Sequence, residues 1–328
     1  MVKVTPSPGK VVVVGSFNVD HVWTVASLPR PGETLSGHYH SGPGGKGFNQ
    51  ATAAARAGAG TCFICTLGDD LGGQLARALA NAVGIDLRDG IGTAPTGTAG
   101  IYVDADGRNS IVIGPGANAL LTPAFVDEQA ASIAAAAVVL GQLESPVDAV
   151  RAAFIHARRA GVMTLLNPAP ADAVAPADLL SLADVITPNE TEFCAQLASH
   201  HGEQLAADTL AALEDAQLHA ACRRLLPHGT VVITLGAAGC LVSHADGNQR
   251  RDARACYRLA AASVHAVDTT GAGDAFNGAL AASLAGAPGR PFRDHARFAN
   301  GYAALSTERA GASAAMPRCE DVLARFGD

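Results

Sequence analysis

Val11-Val12-Val13-Val14-Gly15-Ser16-Phe17-Asn18-Val19-Asp20 decides how this chain folds. Four consecutive β-branched residues leave no wet face, so they read as a strand covered on both sides, as in a parallel sheet. Gly15 ends the run. The polar residues after it stand where the C-terminal end of such a strand presents groups to a ligand.

Outward from this strand the same rhythm recurs. Segments 61–67, 136–142, 163–167, 185–187 and 231–235 read as strands, and 49–58, 72–81, 146–160, 217–226 and 273–285 as helices. Alternation of this kind implies parallel pairing, right-handed crossovers and helices on both faces, a three-layer α/β/α body with a mostly parallel sheet. Residues 21–41 and 98–113 alternate polar and apolar side chains without helix signals and read as antiparallel ribbon, with Asp106-Gly107 as a hairpin turn. The expected organisation is a body of 1–17, 42–97 and 114–328, with insertions 18–41 and 98–113 forming a small β-sheet lid. The polar segment 195–217, which carries His200-His201, reads as solvated surface.

Composition narrows the function. Only 16% of the 328 residues are charged, the formal net charge is −7, and Lys and Arg are scattered, which speaks against nucleic acid as a partner. No apolar run is long enough to span a membrane. Pro6 and Pro8 lie in an N-terminus without an apolar signal segment, so a cytoplasmic location is expected. The seven cysteines are odd in number and mostly scattered, which suits a reducing compartment. Cys62-x-x-Cys65 has metal or redox spacing, but it falls inside a predicted buried strand and has no matching second pair. Both read as core thiols.

The chemistry concentrates in Asp268-Thr269-Thr270-Gly271-Ala272-Gly273-Asp274. Gly271, Ala272 and Gly273 are small enough for their N–H groups to approach an anion closely. The helix that starts behind them adds unsatisfied donors and partial positive charge. Asp274 then stands where it can take a proton from a hydroxyl attacking a phosphoryl group. Other polar segments follow predicted strands or lead into helices. They are Gly42-Pro43-Gly44-Gly45-Lys46-Gly47-Phe48-Asn49, Gln142-Leu143-Glu144-Ser145, Thr187-Pro188-Asn189-Glu190-Thr191-Glu192 and Thr234-Leu235-Gly236.

In this order, and over nearly the whole chain, these segments resemble the ribokinase/phosphofructokinase-B family of sugar kinases. The resemblance implies a ribokinase-like fold and transfer of the ATP γ-phosphoryl group to the 5-hydroxyl of D-ribose. It makes Asn18, Asp20, Gly45, Lys46, Asn49 and Glu144 the sugar contacts, and Asp274 the base beside an anion hole of Gly271, Ala272 and Gly273. Lys46 is not in a phosphate-loop spacing. Asn189, Thr234, Gly236, Gly273 and Asn300 would hold ATP, with Asn300 near the adenine. Asn189 and Glu192 would organise Mg2+ through water in the family's manner, although Asn189 with Glu192 also suits a helix cap. Asp268 with the carbonyls of Thr270, Ser306, Arg309 and Gly311 would bind K+. Ala315 stands where the family often has a hydroxyl. The family also implies a homodimer through the lid sheet, for which Trp23 and Val25 are the proposed apolar surface.

The alternatives are a kinase of the same family for deoxyribose, fructose or a nucleoside, and a non-catalytic sugar or nucleotide sensor. A sugar phosphate would call for cations in the lid, which has only Arg30 and Arg108. A nicotinamide enzyme would need Gly-x-Gly-x-x-Gly after the first strand, and Gly15-Ser16-Phe17-Asn18 lacks it.

Overall fold

The computed structural model describes residues 9–327; Pro6 and Pro8 lie outside them. The strands are β1 Lys10–Val14, β2 Asn18–Thr24, β3 His38–Gly44, β4 Gly60–Gly68, β5 Asp86–Gly92, β6 Gly97–Val103, β7 Asn109–Gly114, β8 Val138–Gly141, β9 Met163–Leu166, β10 Val185–Ile186, β11 Thr230–Thr234, β12 Cys240–Ser243 and β13 Cys256–Leu259. The helices are α1 Lys46–Arg56, α2 Leu71–Val83, α3 Pro123–Glu128, α4 Ala130–Ala134, α5 Val147–Arg159, α6 Ala177–Leu182, α7 Glu190–His201, α8 Asp215–Leu225, α9 Ala272–Gly286, α10 Phe292–Ser306 and α11 Cys319–Phe326.

The large sheet runs β13-β12-β11-β10-β9-β8-β1-β4-β5. Every pairing from β11 through β5 is parallel, and β12 and β13 add an antiparallel edge. Val11 and Val13 enter one apolar core, Val12 and Val14 the other, and all four are fully buried. Helices α1, α2, α9 and α10 supply the first core; α5, α7 and α8 supply the second. This is the layered body expected from the valine run. Cys65 and Cys62 split between the same two cores, and burial pushes the Cys62 thiol up to about 11.

The chain leaves β1 toward β4 on one side and returns to β8 on the other, so β1 and β8 flank a switch point at which α/β sheets open a crevice. Helices α1 and α9 close over this end. They approach so tightly that a Cβ on Gly278 would lie 2.4 Å from the Gln50 carbonyl oxygen. One turn earlier on α9 stands Asp274.

The small sheet has the order β3-β2-β6-β7. The antiparallel ribbon expected for both insertions holds within each, β2 with β3 and β6 with β7, but β2 and β6 join in parallel. β3 runs on to Gly44 and so leads directly into the glycine-rich loop. The β6–β7 turn is closed by Asp104, which accepts from Asp106 N–H, Arg108 N–H and Arg108 Nε. Val25 is buried in its own chain, which corrects its expected place on an exposed apolar surface; Tyr39, Ile111, Val112 and Ile113 are the exposed apolar side chains of this sheet. His200 is half-buried and donates through Nε2 to the Ala175 carbonyl, whereas His201 is exposed.

Candidate active site

The crevice begins at Ser16. Its hydroxyl donates to Glu144 Oε2 at 2.6 Å, and the Lys46 N–H donates to the same oxygen at 3.0 Å. Phe48 N–H bonds the Ser16 carbonyl, and Gly47 has no room for a side chain, since a Cβ there would lie 2.4 Å from Ser16 N. The loop after β1, the loop after β8 and the start of α1 are thus tied through one carboxylate oxygen. Gly45 sits at φ +86, in the left-handed region that favours glycine, and turns the chain into α1.

Asn18 is buried, and its Oδ1 accepts from Asn118 Nδ2 at 2.8 Å. Asn118 also accepts from Phe17 N–H and donates to the Phe17 carbonyl, so it fixes the orientation of the first polar turn. Asp20 packs its carboxylate over Gly44, where a Cβ would come within 2.2 Å of it. Burial, with the charges of Glu144 and Asp274 nearby, pushes the Asp20 carboxyl up to about 7.

Asp274 lies in the first turn of α9, buried. Asn49 Nδ2 donates to its Oδ2 and Gln50 Nε2 to its Oδ1, each at 2.9 Å. Burial lifts its carboxyl above the usual carboxylate range, opposed by Lys46 and by these two amides. Asn49 Oδ1 is buried and has no protein partner among the described residues, which leaves an acceptor for a hydroxyl-bearing ligand. Burial alone would lower the Lys46 ammonium, but Asp274, Glu144 and Glu192 together hold it above its ordinary value, so it stays charged.

A cleft of about 170 Å3 opens beside Asp274 and is lined by Lys46, Asn189, Glu192, Thr234 and the Gly271–Gly273 turn. Gly271 caps α9 at φ +74 and abuts Ala312. Of the three expected anion-hole amides, Ala272 N–H is engaged with the Thr269 carbonyl at 3.2 Å; those of Gly271 and Gly273 have no protein acceptor among the described residues. Asn189 and Glu192 form a complete capping box on α7. That arrangement uses Glu192 Oε2 and leaves Oε1 without a protein partner among the described residues, a donor set that suits a hydrated Mg2+ held through water. Thr234 N–H bonds the Pro188 carbonyl and ties this cap to β11, and Gly236 at φ +52 turns the chain just beyond.

Asp268 accepts from Thr270 N–H (2.9 Å) and Gly311 N–H (2.8 Å). Burial would raise its carboxyl, but these bonds outweigh burial and hold it below the usual carboxylate range. Ser306 ends α10, so its carbonyl lies at the electronegative helix end, and Arg309 and Gly311 follow. An ionised carboxylate bonded to Thr270 and Gly311 N–H, beside the loop that carries these carbonyls, suits a monovalent cation. Ala315 brings no hydroxyl there, and Arg56 Nη1 donates to the carbonyls of Ser313, Ala314 and Met316. Asn300 does not line the cleft; its Nδ2 donates to the Ala260 carbonyl at 2.6 Å and pins the loop after β13.

Ser16, Gln50 and Asn118 were missed in the sequence. Gln50 lies beside Asn49 in a motif already singled out, but nothing in the motif shows which way its amide reaches.

A family model described as pfkB family carbohydrate kinase matches residues 8–319. The chain is 38% identical over 317 residues to the ribokinase of Haemophilus influenzae, covering 95% of this chain and 96% of that one. It is 38% identical over 323 residues to the ribokinase of Mus musculus, covering 96% and 94%. The structure of Arabidopsis thaliana ribokinase complexed with ribose and ATP superposes with a TM-score of 0.82 at 31% identity, covering 96% of this chain and 98% of that one.

Proposed function

Since this chain belongs to the pfkB family of carbohydrate kinases, we propose that it transfers the γ-phosphoryl group of ATP to the 5-hydroxyl of D-ribose, giving D-ribose 5-phosphate and ADP. The observation that carries this reading is Asp274: one buried carboxylate bonded to the sugar-side loop through Asn49 and standing behind the small-residue turn of α9. Asn18, Asp20, Gly45, Lys46, Asn49 and Glu144 would orient the sugar, whose 5-hydroxyl then faces Asp274. The transition state is loose, so positioning and electrostatics do most of the work, and Asp274 takes the proton late, as the bond to phosphorus forms. The amides of Gly271 and Gly273 and the Lys46 ammonium would face the charge that spreads over the equatorial oxygens. Asn189, Thr234 and Gly236 would hold ATP, while Asn300 would act by fixing the loop that borders the adenine. Mg2+, held through water by Asn189 and Glu192, would neutralise phosphate charge; K+, at Asp268 with the carbonyls of Thr270, Ser306, Arg309 and Gly311, would add fixed positive charge beside the turn.

A screen of ADP release over ribose, deoxyribose, fructose and nucleosides, with and without K+, tests the assignment. Ribose is expected to give the highest kcat/KM, with little ADP formed when no sugar is present. Preference for a nucleoside, or turnover independent of any acceptor, would overturn it.

Asp20 provides a second test. Its carboxyl keeps its proton up to about pH 7, against an ordinary value of 3.8, so ionising it costs stability as pH rises across that window. Ribose hydroxyls donate to the ionised form. The rise in Tm on adding ribose is therefore expected to be larger at pH 8 than at pH 6, and Asp20→Asn to abolish that difference.

No helix among the described residues is long and apolar enough to cross a membrane. We place the enzyme in the cytoplasm, acting on a small sugar and ATP without nucleic acid or membrane partners, and as a homodimer through the small sheet. The exposed Tyr39, Ile111, Val112 and Ile113 support that interface. Sedimentation is expected to give twice the chain mass; a monomer at micromolar concentration would count against it.

A further inference from the structure

Gln50 and Gln142 are both fully buried, and neither lines the cleft. The two hydrogens of Gln50 Nε2 go to Asp274 Oδ1 at 2.9 Å and Asn167 Oδ1 at 3.0 Å, while its Oε1 accepts from Gln142 Nε2 at 2.6 Å. Asn167 in turn donates to the Thr187 carbonyl. Turned over, the Gln50 amide would set its oxygen against a carboxylate and against Asn167 Oδ1. Asp274, a carboxylate acceptor, and Asn167, held by the Thr187 carbonyl, therefore enforce one orientation, whereas Gln142 Oε1 is buried without a protein partner among the described residues and the Gln142 amide follows that of Gln50. Gly15 leaves the space Gln142 needs, since a Cβ there would lie 2.1 Å from Gln142 Oε1.

We propose that Gln50 is the positioning residue for Asp274, and that Gln142, by donating to Gln50 Oε1, holds that amide in place against Asp274. This rests on Asp274 being the base. Asp274 has two amide partners with different duties. Asn49 has a free acceptor, so it can engage a sugar and let go of Oδ2. Gln50, fully buried on α1, keeps Oδ1 through the cycle. Its donor bond favours the ionised carboxylate and fixes the carboxylate plane, so that the remaining lone pairs face the attacking hydroxyl. Among the described residues the other titratable groups around Asp274 are Lys46 at the start of α1, Glu144 after β8, Asp20 on β2 and Glu192 on α7; Lys46 alone of these is a cation, and Asp20 adds a negative charge only above about pH 7. A lost amide donor thus leaves a single charge to hold the base ionised among three further carboxyls.

The test uses Gln50→Met, Gln142→Met and their combination in the full chain, with kcat measured from pH 5.5 to 9 (a range of about 3.5 units chosen around neutrality) at saturating ribose and ATP. Gln50→Met is expected to lower kcat roughly ten- to a hundredfold, with KM for ribose changed less than about threefold, and to move the acid limb to higher pH. Gln142→Met should do the same on a smaller scale, and the double variant should fall well short of the product of the two. If Gln50→Met does not fold, the Gln142→Met profile decides. Normal kcat, or a lowered kcat with an unmoved acid limb, overturns the proposal. Asp274→Asn, measured alongside, separates the two layers: if it keeps turnover the base assignment fails, and if it is inactive an unmoved Gln50→Met profile sinks only the role of Gln50.

Discussion

Asp274→Asn is expected to lower kcat for ribose by roughly 10²–10⁴ while ribose binding stays measurable by calorimetry. Both carboxylate oxygens accept an amide hydrogen, from Asn49 and from Gln50. An Asn side chain has only one acceptor, so its NH2 must face another NH2, and a buried donor left unpaired costs about 1–3 kcal/mol. Removing a buried carboxylate that burial already disfavours offsets part of this cost, so the fold should survive with Tm lowered by only a few degrees, since a chain this long shifts by at most roughly 2–4 °C per kcal/mol. Sugar affinity should fall modestly, because Asn49 loses its better acceptor. The loss in kcat has two parts, the missing proton acceptor and the disturbed aim of the hydroxyl. Near-normal turnover would mean that another group, or solvent, receives the proton.

The second large effect is expected from Gly271→Ala. Gly271 sits at φ +74, where an L side chain costs about 1–2 kcal/mol. A Cβ there would also lie 2.9 Å from Ala312 Cβ and 3.1 Å from Ala312 Cα. Relief of either strain rotates the peptide at the α9 N-terminus and turns an inward amide away. Loss of one such donor costs on the order of 10²–10³ in kcat. The variant should therefore combine a kcat loss of that size with a lower Tm and unchanged ribose affinity. Gly273→Ala provides the contrast, because a Cβ there meets nothing within 4 Å and Gly273 is not among the positive-φ glycines. It should keep its Tm while raising KM for ATP, since the methyl points into the open cleft. If Gly271→Ala kept both Tm and kcat, the turn would not be holding an anion hole.

Some of this was legible before any coordinates. The Val11–Val14 run could be placed on both sides of a sheet because no residue in it tolerates water, and the strands and helices that follow repeat the same logic. The strands that went unread are those without a burial signature. β5, with Asp86, Arg88 and Asp89 interleaved in it, and β13, half-buried, are the two edge strands; β12 between β13 and β11 is buried throughout but only four residues long, too short to show a period. The parallel joining of β2 and β6 was also hidden, because alternation reports one wet face and says nothing of which neighbour a strand pairs with. Within the site, Asp274 and the glycine-rich loops announced themselves through unusual residues at element ends. Ser16, Gln50, Asn118 and Gln142 did not. Their functions are hydrogen bonds to residues far away in the chain, and an amide or a hydroxyl inside a buried segment carries no mark of its partner.

From residues alone, then, came the kind of sheet, the place of the acid and the small-residue turn that faces it. These depend on local properties: whether a side chain tolerates water, whether a backbone can adopt a left-handed turn, whether a helix is about to begin. Only the folded chain decided which amide holds the acid, which turn amides remain free and which apolar residues stay exposed on the small sheet. The first of these depends on the close crossing of α1 and α9 at Gly278, a contact set by packing across more than two hundred residues of sequence, and the others on pairings between segments equally unmarked in the sequence.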